Sequence, residues 1–278
     1  MPLPDFLSSD LARWLLAFVA AVVISGSAFR LRSLTADGAA AAVVLGTALV
    51  GLAGWWSGVL LVVFFVSASI LSQRIRRRSS IAARRGHRRD VVQVTANGGF
   101  ALLMAIVYAA TGAPVWLLGV AGAIASANAD TWSTEVGRLS QTPPRMVTTW
   151  REVPAGTSGA VSPVGLLGAA AGASLIAALA ASGVTPGWFP ASAQPITTIV
   201  AVIVGGIVGS VVDSILGATV QEQRWCPACN KQTEMHVHVC DTPTLPYGGK
   251  AWITNDVVNA ACTISGGVLA ILIGLIPG

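Results

Sequence analysis

Eight apolar runs, most of them about 17–25 residues long, constrain this chain more than anything else in it. A helix of that length matches the hydrocarbon core of a bilayer, and within lipid a helix is the element that satisfies its own backbone hydrogen bonds. The runs lie near 11–29, 38–54, 56–72, 91–110, 115–134, 162–182, 197–219 and 252–276. The second and third are short and separated only by Gly54 and Trp55, which predicts a tight helical hairpin. With 54% hydrophobic and 10% charged residues, the chain is not a soluble globular protein. Its thirty glycines suit close approach of membrane helices. The expected fold is all-α, a polytopic integral-membrane bundle forming a single membrane domain over 1–278. The opening MPLPDFLSSD has acidic residues and no basic stretch, so no cleaved signal peptide is expected.

Charge placement orients the bundle. Alternating eight spans with both termini outside puts the loops 30–37, 73–90, 135–161 and 220–251 in the cytoplasm. Those loops hold 16 of the 17 basic residues, leaving Arg13 on the other side, as the positive-inside rule requires of a protein in the cell (inner) membrane. The net charge of +5 is therefore topogenic and attracts lipid headgroups; it does not point to nucleic acid. Within the arginine run, Arg88 and Arg89 abut the next helix and are candidates to grip a phosphate, which guanidinium binds through two parallel hydrogen bonds.

The stretch ANADTWSTEVGR (127–138) ends the fifth run with amide, hydroxyl and carboxylate groups. Ionisable groups near hydrocarbon cost about 2.5–3.5 kcal/mol each at mid-membrane, so they mark function by default. On a helix Asp130, Ser133, Thr134 and Gly137 share one face, while Asn128, Trp132 and Glu135 share another. The competing explanation is a satisfied packing cluster.

Polar groups recur at the same ends of other spans. LTADGA opens the second run, where capping by Thr35 or Asp37 explains the motif as well as function does. Asn97 and two glycines sit inside the fourth. Ser162 followed by Pro163 starts the sixth helix, with the donor-rich Gly156, Thr157, Ser158 and Gly159 just ahead of it. That placement suits an anion, although it lacks the lysine and spacing of a P-loop. Asp213, Ser214 and Gly217 close the seventh run; Asn255, Asp256 and Asn259 open the eighth. Acidic helix ends facing one layer repel one another unless cations neutralise them, and magnesium with bound phosphate is the natural choice. Pairing of each carboxylate with a loop arginine is the alternative.

The last loop, 220–251, reads RWCPACNKQTEMHVHVC from Arg224 to Cys240. Cys226, Cys229, His236, His238 and Cys240 supply more than enough ligands for a structural Cys3His zinc site; unbound thiols are the alternative.

Taken together, NADTWSTEVG, GTSGAVSP, DSILGATVQ, the Cys-x2-Cys loop and TNDVVN resemble one integral-membrane family from about Leu31 to the C-terminus. It was long catalogued as a domain of unknown function and includes plant phytyl-phosphate kinase and the human transmembrane protein nineteen. Asp130, Ser133, Gly137 and Arg138 also fit the Asp-x2-Ala/Ser-x3-Gly-Arg pattern, which is similar to that of CTP-dependent dolichol and phytol kinases. The resemblance implies a kinase that phosphorylates a membrane prenyl monophosphate with a cytosolic nucleoside triphosphate such as CTP. Under that reading Asp130 and Asp213 hold magnesium, with Glu135 or Asp256 second. Asn97, Asn128, Asn255 and Asn259 orient phosphates or metal waters, Gly156 to Gly159 cradle the nucleotide, and Arg88, Arg89 and Arg138 neutralise charge. Two alternatives stand beside it: a transporter or flippase of an anionic lipid or small ion, and a cytidylyltransferase-like lipid enzyme, whose full signature is absent.

Overall fold

The computed structural model describes residues 10–78, 88–184, 187 and 194–276. The segment 1–9 and the middle of the arginine-rich loop, 79–87, lie outside the described residues. The protein is a polytopic helical membrane protein. Its described helices are α1 (Asp10–Arg30), α2 (Ala36–Arg78), α3 (Val91–Thr111), α4 (Val115–Gly137), α5 (Pro163–Val184), α6 (Pro195–Thr219) and α7 (Asn255–Gly274).

The expected hairpin is present inside α2. Gly54 adopts φ 82° and ψ 169°, a region open essentially to glycine. A methyl group on Gly46 would lie 4.0 Å from Leu61 Cδ2, whereas fifteen residues of straight helix would separate them by about 22 Å. The limbs 36–53 and 55–78 therefore run back along each other. With α2 counted as two limbs, the helices follow the eight apolar runs.

Six of the seven described helices, α2 counted once, are long and apolar enough to cross a membrane. The exception is α4, whose polar end lowers its hydropathy. It is also the central helix, packed against α2, α3, α5, α6 and α7, with every residue from 117 to 129 buried. A helix screened from lipid on all sides can carry polar groups that an outer helix cannot. By contrast α1 shows Leu11, Leu15, Phe18 and Val23 to its surroundings, as a lipid-facing helix must.

Small residues set the spacing of this core. A methyl on Gly122 would come within 2.8 Å of Gly266 O, and one on Gly209 within 2.7 Å of Cys262 O. Such contacts let α4, α6 and α7 touch backbone to backbone, the membrane substitute for hydrophobic collapse. Interhelical hydrogen bonds reinforce them: Trp56 Nε1 donates to Leu179 O at 2.7 Å and Thr263 Oγ1 to Ala96 O at 3.1 Å. Bonds of this kind contribute about 0.6 kcal/mol each.

Two small antiparallel sheets cover one end. Strands β1 (Arg145–Met146) and β2 (Ala160–Val161) pair between α4 and α5. Between α6 and α7, β3 (Gln223–Cys226) is flanked by β4 (Lys231–Thr233) and β5 (Leu245–Gly248).

Candidate functional site

Where α2, α4 and α6 end and α3, α5 and α7 begin, two cavities of about 790 and 670 Å³ lie side by side. Asp130, Thr134, Arg138, Glu234, Met235 and Asn255 line both. The larger is completed by Ser133, the Gly156–Gly159 loop, Asp213, Ser214 and Gln221. The smaller holds Arg89, Asn97, Glu135, His236, Asp256 and Asn259. Most residues singled out from the sequence thus meet around one divided basin. Arg88 and Gly217 are not among the lining residues of either cavity, nor is Asn128.

The two faces of α4 part here as helical periodicity predicts. Asn128 is fully buried: its Nδ2 donates to Gly172 O at 2.8 Å and its Oδ1 accepts from Ser67 Oγ at 3.2 Å. Trp132 Nε1 lies 3.4 Å from the same Ser67 Oγ. Glu135, 5% exposed, accepts from Ser72 Oγ at 2.8 Å and pairs with Arg138 at 2.9 Å. The phosphate contact expected of Asn128 gives way to packing, because its amide already bridges α2 and α5. On the other face Asp130, Ser133, Thr134 and Gly137 line the larger cavity. Among the described residues the Asp130 side chain has no hydrogen bond or ion pair.

Two orphaned groups deepen the contrast. Asp213 Oδ2 is buried without a hydrogen-bond partner, and so is Gln221 Nε2. The first is an acceptor without a donor; the second is a donor without a bond of ordinary length, beside the Glu234 carboxylate, and both residues line the larger cavity. Leaving such a group unsatisfied costs about 1–3 kcal/mol, more where charged. Asp130 and Asp213 lie within electrostatic reach of each other. The donor set suits magnesium, a hard cation that takes few carboxylates and keeps waters or phosphate oxygens around it.

The loop ahead of α5 is built by its glycines. Gly156 and Gly159 have φ of 89° and 76°, and a Cβ on Gly159 would collide with the backbone of Ala218 at the end of α6. Gly217 serves that same contact, since a methyl there would lie 2.7 Å from Ser158 Oγ. Ser162 caps α5 as expected, its Oγ accepting from Gly165 N at 3.1 Å. Ser214 Oγ donates back to Ser210 O at 3.2 Å.

Over the basin, the β3–β5 sheet carries the cysteines. The ligand atoms of Cys226, Cys229, His238 and Cys240 all lie within 4.8 Å of one another. Cys226 Sγ and Cys240 Sγ are 3.6 Å apart, near the roughly 3.8 Å that tetrahedral Zn–S bonds of about 2.3 Å require. This cluster has the donors and spacing to hold a metal ion such as zinc. Hydrogen bonding with Thr242 and His238 draws the Cys240 thiol down to about 6, while contact with Cys240, followed by burial, pushes Cys229 up to about 11. His236 does not join the cluster. It turns toward Glu222, 3.8 Å away, and lines the smaller cavity instead.

The chain matches the family described as "Integral membrane protein DUF92" over residues 19–267. It belongs to this family. Among relatives of known sequence, Protein PGR of Arabidopsis thaliana is 32% identical over 79% of this chain and 83% of its own. An uncharacterized membrane protein of Synechocystis is 30% identical over 95% of each chain. One from Methanocaldococcus jannaschii is 33% identical over 52% of this chain and 60% of its own. No solved structure matches. The family and its plant member agree with the resemblance carried by the motifs.

Two residues of the candidate site, Gln221 and Glu234, carry no signal in the sequence. Both sit in a polar loop, where a glutamine or glutamate carries no pattern. Gln221 follows α6 directly, and Glu234, just after β4, comes to the basin on a sheet whose β3 is tied back to the end of α6 by Gln223 Nε2 donating to Gly217 O at 3.1 Å. Glu234 faces solvent at the residue level but lies deep in the concavity, and desolvation there raises its carboxyl group. Ser158 and Gln221 beside it pull the other way, and the Asp256 charge adds to the rise.

Proposed function

We propose that this protein transfers a phosphoryl group from a nucleoside triphosphate, CTP or another, to a membrane prenyl monophosphate, with its basin at the cytoplasmic face of the cell membrane. The observation that carries this reading is the buried carboxylate oxygen of Asp213, without a hydrogen-bond partner, in one cavity with the Asp130 carboxylate. A cation carried in by a phosphate ligand satisfies both carboxylates, and a metal–nucleotide complex is such a ligand.

The division of the basin suits two phosphate-bearing substrates. The larger lobe, with its glycine loop and the start of α5, takes the nucleotide, because unpaired backbone N–H groups and the helix dipole favour anions there. The smaller lobe, with Arg89 and Asn97, takes the lipid phosphate. Asp130 stands in the wall they share, where the transferred group passes. Asp130 and Asp213 would hold magnesium, with Asp256 or Glu135 more distant; when bound, the ion neutralises charge on the phosphate oxygens. A monophosphate acceptor is already ionised, so the chain's residues need only bind, align and exclude water. Arg138, at the shared wall, supplies positive charge to both lobes. The Cys/His cluster is proposed as a structural zinc site that fixes the loop bearing Glu234.

The test is to incubate purified protein with labelled CTP, ATP or GTP and a set of prenyl monophosphates. Prenyl diphosphate should form, and should vanish in Asp130→Asn and Asp213→Asn variants that remain folded. Normal turnover in both variants contradicts the assignment. Movement of an anionic lipid or ion across vesicles without any diphosphate would favour a transporter.

A further inference from the structure

We propose that a separate apolar groove, opening into the smaller cavity, holds the head-proximal part of a single isoprenoid chain while Arg89 and Asn97 take its phosphate. This rests on the lipid-phosphate reading of the basin and locates the lipid within it.

The groove runs between three helices, with Ile24 and Ala28 from α1, Leu45 and Phe65 from α2, and Val94 from α3 along its walls. Among the described residues, its polar lining is Arg89, Asn97 and Ser25. Arg89 and Asn97 also line the smaller cavity, so the polar end of the groove is where it borders the basin. An apolar channel that ends in a cation and an amide, beside a site for phosphate chemistry, matches an amphiphile with an apolar tail and an anionic head.

Arg89 is positioned for that head. Its backbone N donates to Ser33 O and its O accepts from Thr35 N, both at 3.1 Å, which pins it to the start of α2. Gly38 makes room for this contact, since a Cβ there would strike Arg89 O. The guanidinium lies 5.7 Å from the Phe64 ring centre and 5.4 Å from that of Phe65, two groove residues, with Nη1 3.4 Å from Ser69 Oγ. A guanidinium over aromatic faces presents its N–H edge away from the rings, and such an edge matches phosphate oxygens in geometry.

The enclosed volume is only about 100 Å³. One chain enters and two acyl chains do not, which favours a prenyl phosphate over a diacyl one. Ile24 remains 37% exposed, so the groove communicates with the surrounding lipid and the far end of the chain continues into the bilayer. Recognition is thereby confined to the head and the first isoprene units, and chain length beyond them is tolerated.

The test uses the full chain in nanodiscs with a prenyl monophosphate carrying a diazirine in its second isoprene unit. Labelling should saturate and map to α1, α2 and the start of α3. Unlabelled prenyl monophosphates, short or long, should displace it, while the free prenol and phosphatidic acid should do so about tenfold less well. Arg89→Gln should weaken saturable labelling about tenfold, with Arg89→Lys between the two. Ala28→Trp should block labelling while leaving nucleotide binding intact. Diffuse, non-competed labelling of all outer helices, meaning annular lipid only, overturns the proposal, as does equal displacement by phosphatidic acid. Saturable groove labelling without phosphoryl transfer supports the groove and removes the kinase reading. Transfer with diffuse labelling does the reverse.

Discussion

Two faces of the last turns of α4 use the same kinds of side chain for opposite ends. Toward α2 and α5, Asn128, Trp132 and Glu135 all have protein partners: Ser67, Gly172, Ser72 and Arg138. Toward the larger cavity, Asp130 has none among the described residues, and opposite it Asp213 Oδ2 and Gln221 Nε2 are buried without one. Polar groups inside a membrane bundle are therefore not all of one meaning. Those with complete hydrogen bonds hold helices together, and those without partners in the basin are where the proposed ligand would bind.

Exchanging side chains across the two faces gives the largest expected separation. Asp130→Asn should lower phosphoryl transfer by at least about a hundredfold, as loss of a charge-stabilising group does, with thermal unfolding in detergent little changed. Asn128→Leu should do the opposite. It leaves Ser67 and Gly172 without their partner, which costs about 1–3 kcal/mol of stability, while nucleotide KM stays near wild type. If the two variants show the same profile, the distinction between the faces fails.

Next comes the cradle. Gly159→Ala forces an L side chain into φ 76° and against Ala218, so the loop must shift. Strain of about 1–3 kcal/mol predicts a nucleotide KM raised roughly tenfold, with KM for the prenyl phosphate unmoved. Equal changes in both would mean that the two lobes do not divide the substrates. Cys226→Ser should remove about one zinc per chain by metal analysis, and His238→Ala should weaken its retention. His236→Ala should leave metal content unchanged, because His236 faces the smaller cavity.

The smallest effect concerns Glu234, whose carboxyl group is raised mainly by desolvation. A group raised in the folded state favours folding when protonated, and that contribution fades as pH climbs through the folded value. At neutral pH the Glu234 carboxylate is thus slightly unfavourable to the fold. Glu234→Gln should unfold at the same or a slightly higher temperature at neutral pH, with the gap closing in acid. A variant less stable at neutral pH would show that the Ser158 and Gln221 side chains outweigh desolvation at Glu234.

Much of this was legible in the sequence because it depends on short-range geometry. The 3.6-residue period alone sorts residues 128–138 into two faces, and Gly54 between two short apolar runs reveals the hairpin. Ser162-Pro163 marks the start of α5 without any coordinates. What the sequence could not reveal depends on distant partners. Asn128 is a binding candidate until Ser67, sixty-one residues earlier, is found opposite it. Likewise His236 and His238 are equivalent by spacing, and the path of the chain after β4 decides between them. Gln221 and Glu234 became visible only once the sheet was seen to dock on the end of α6.

The most direct measurement is titration of the protein with Mn²⁺ in place of Mg²⁺, with nucleotide present, followed by electron paramagnetic resonance. Wild type and Asn128→Ala should bind the ion with nucleotide, whereas Asp130→Asn and Asp213→Asn should lose that binding while staying folded. Equal binding in all four proteins would contradict the assignment of the unpartnered face of α4 to a metal–phosphate ligand.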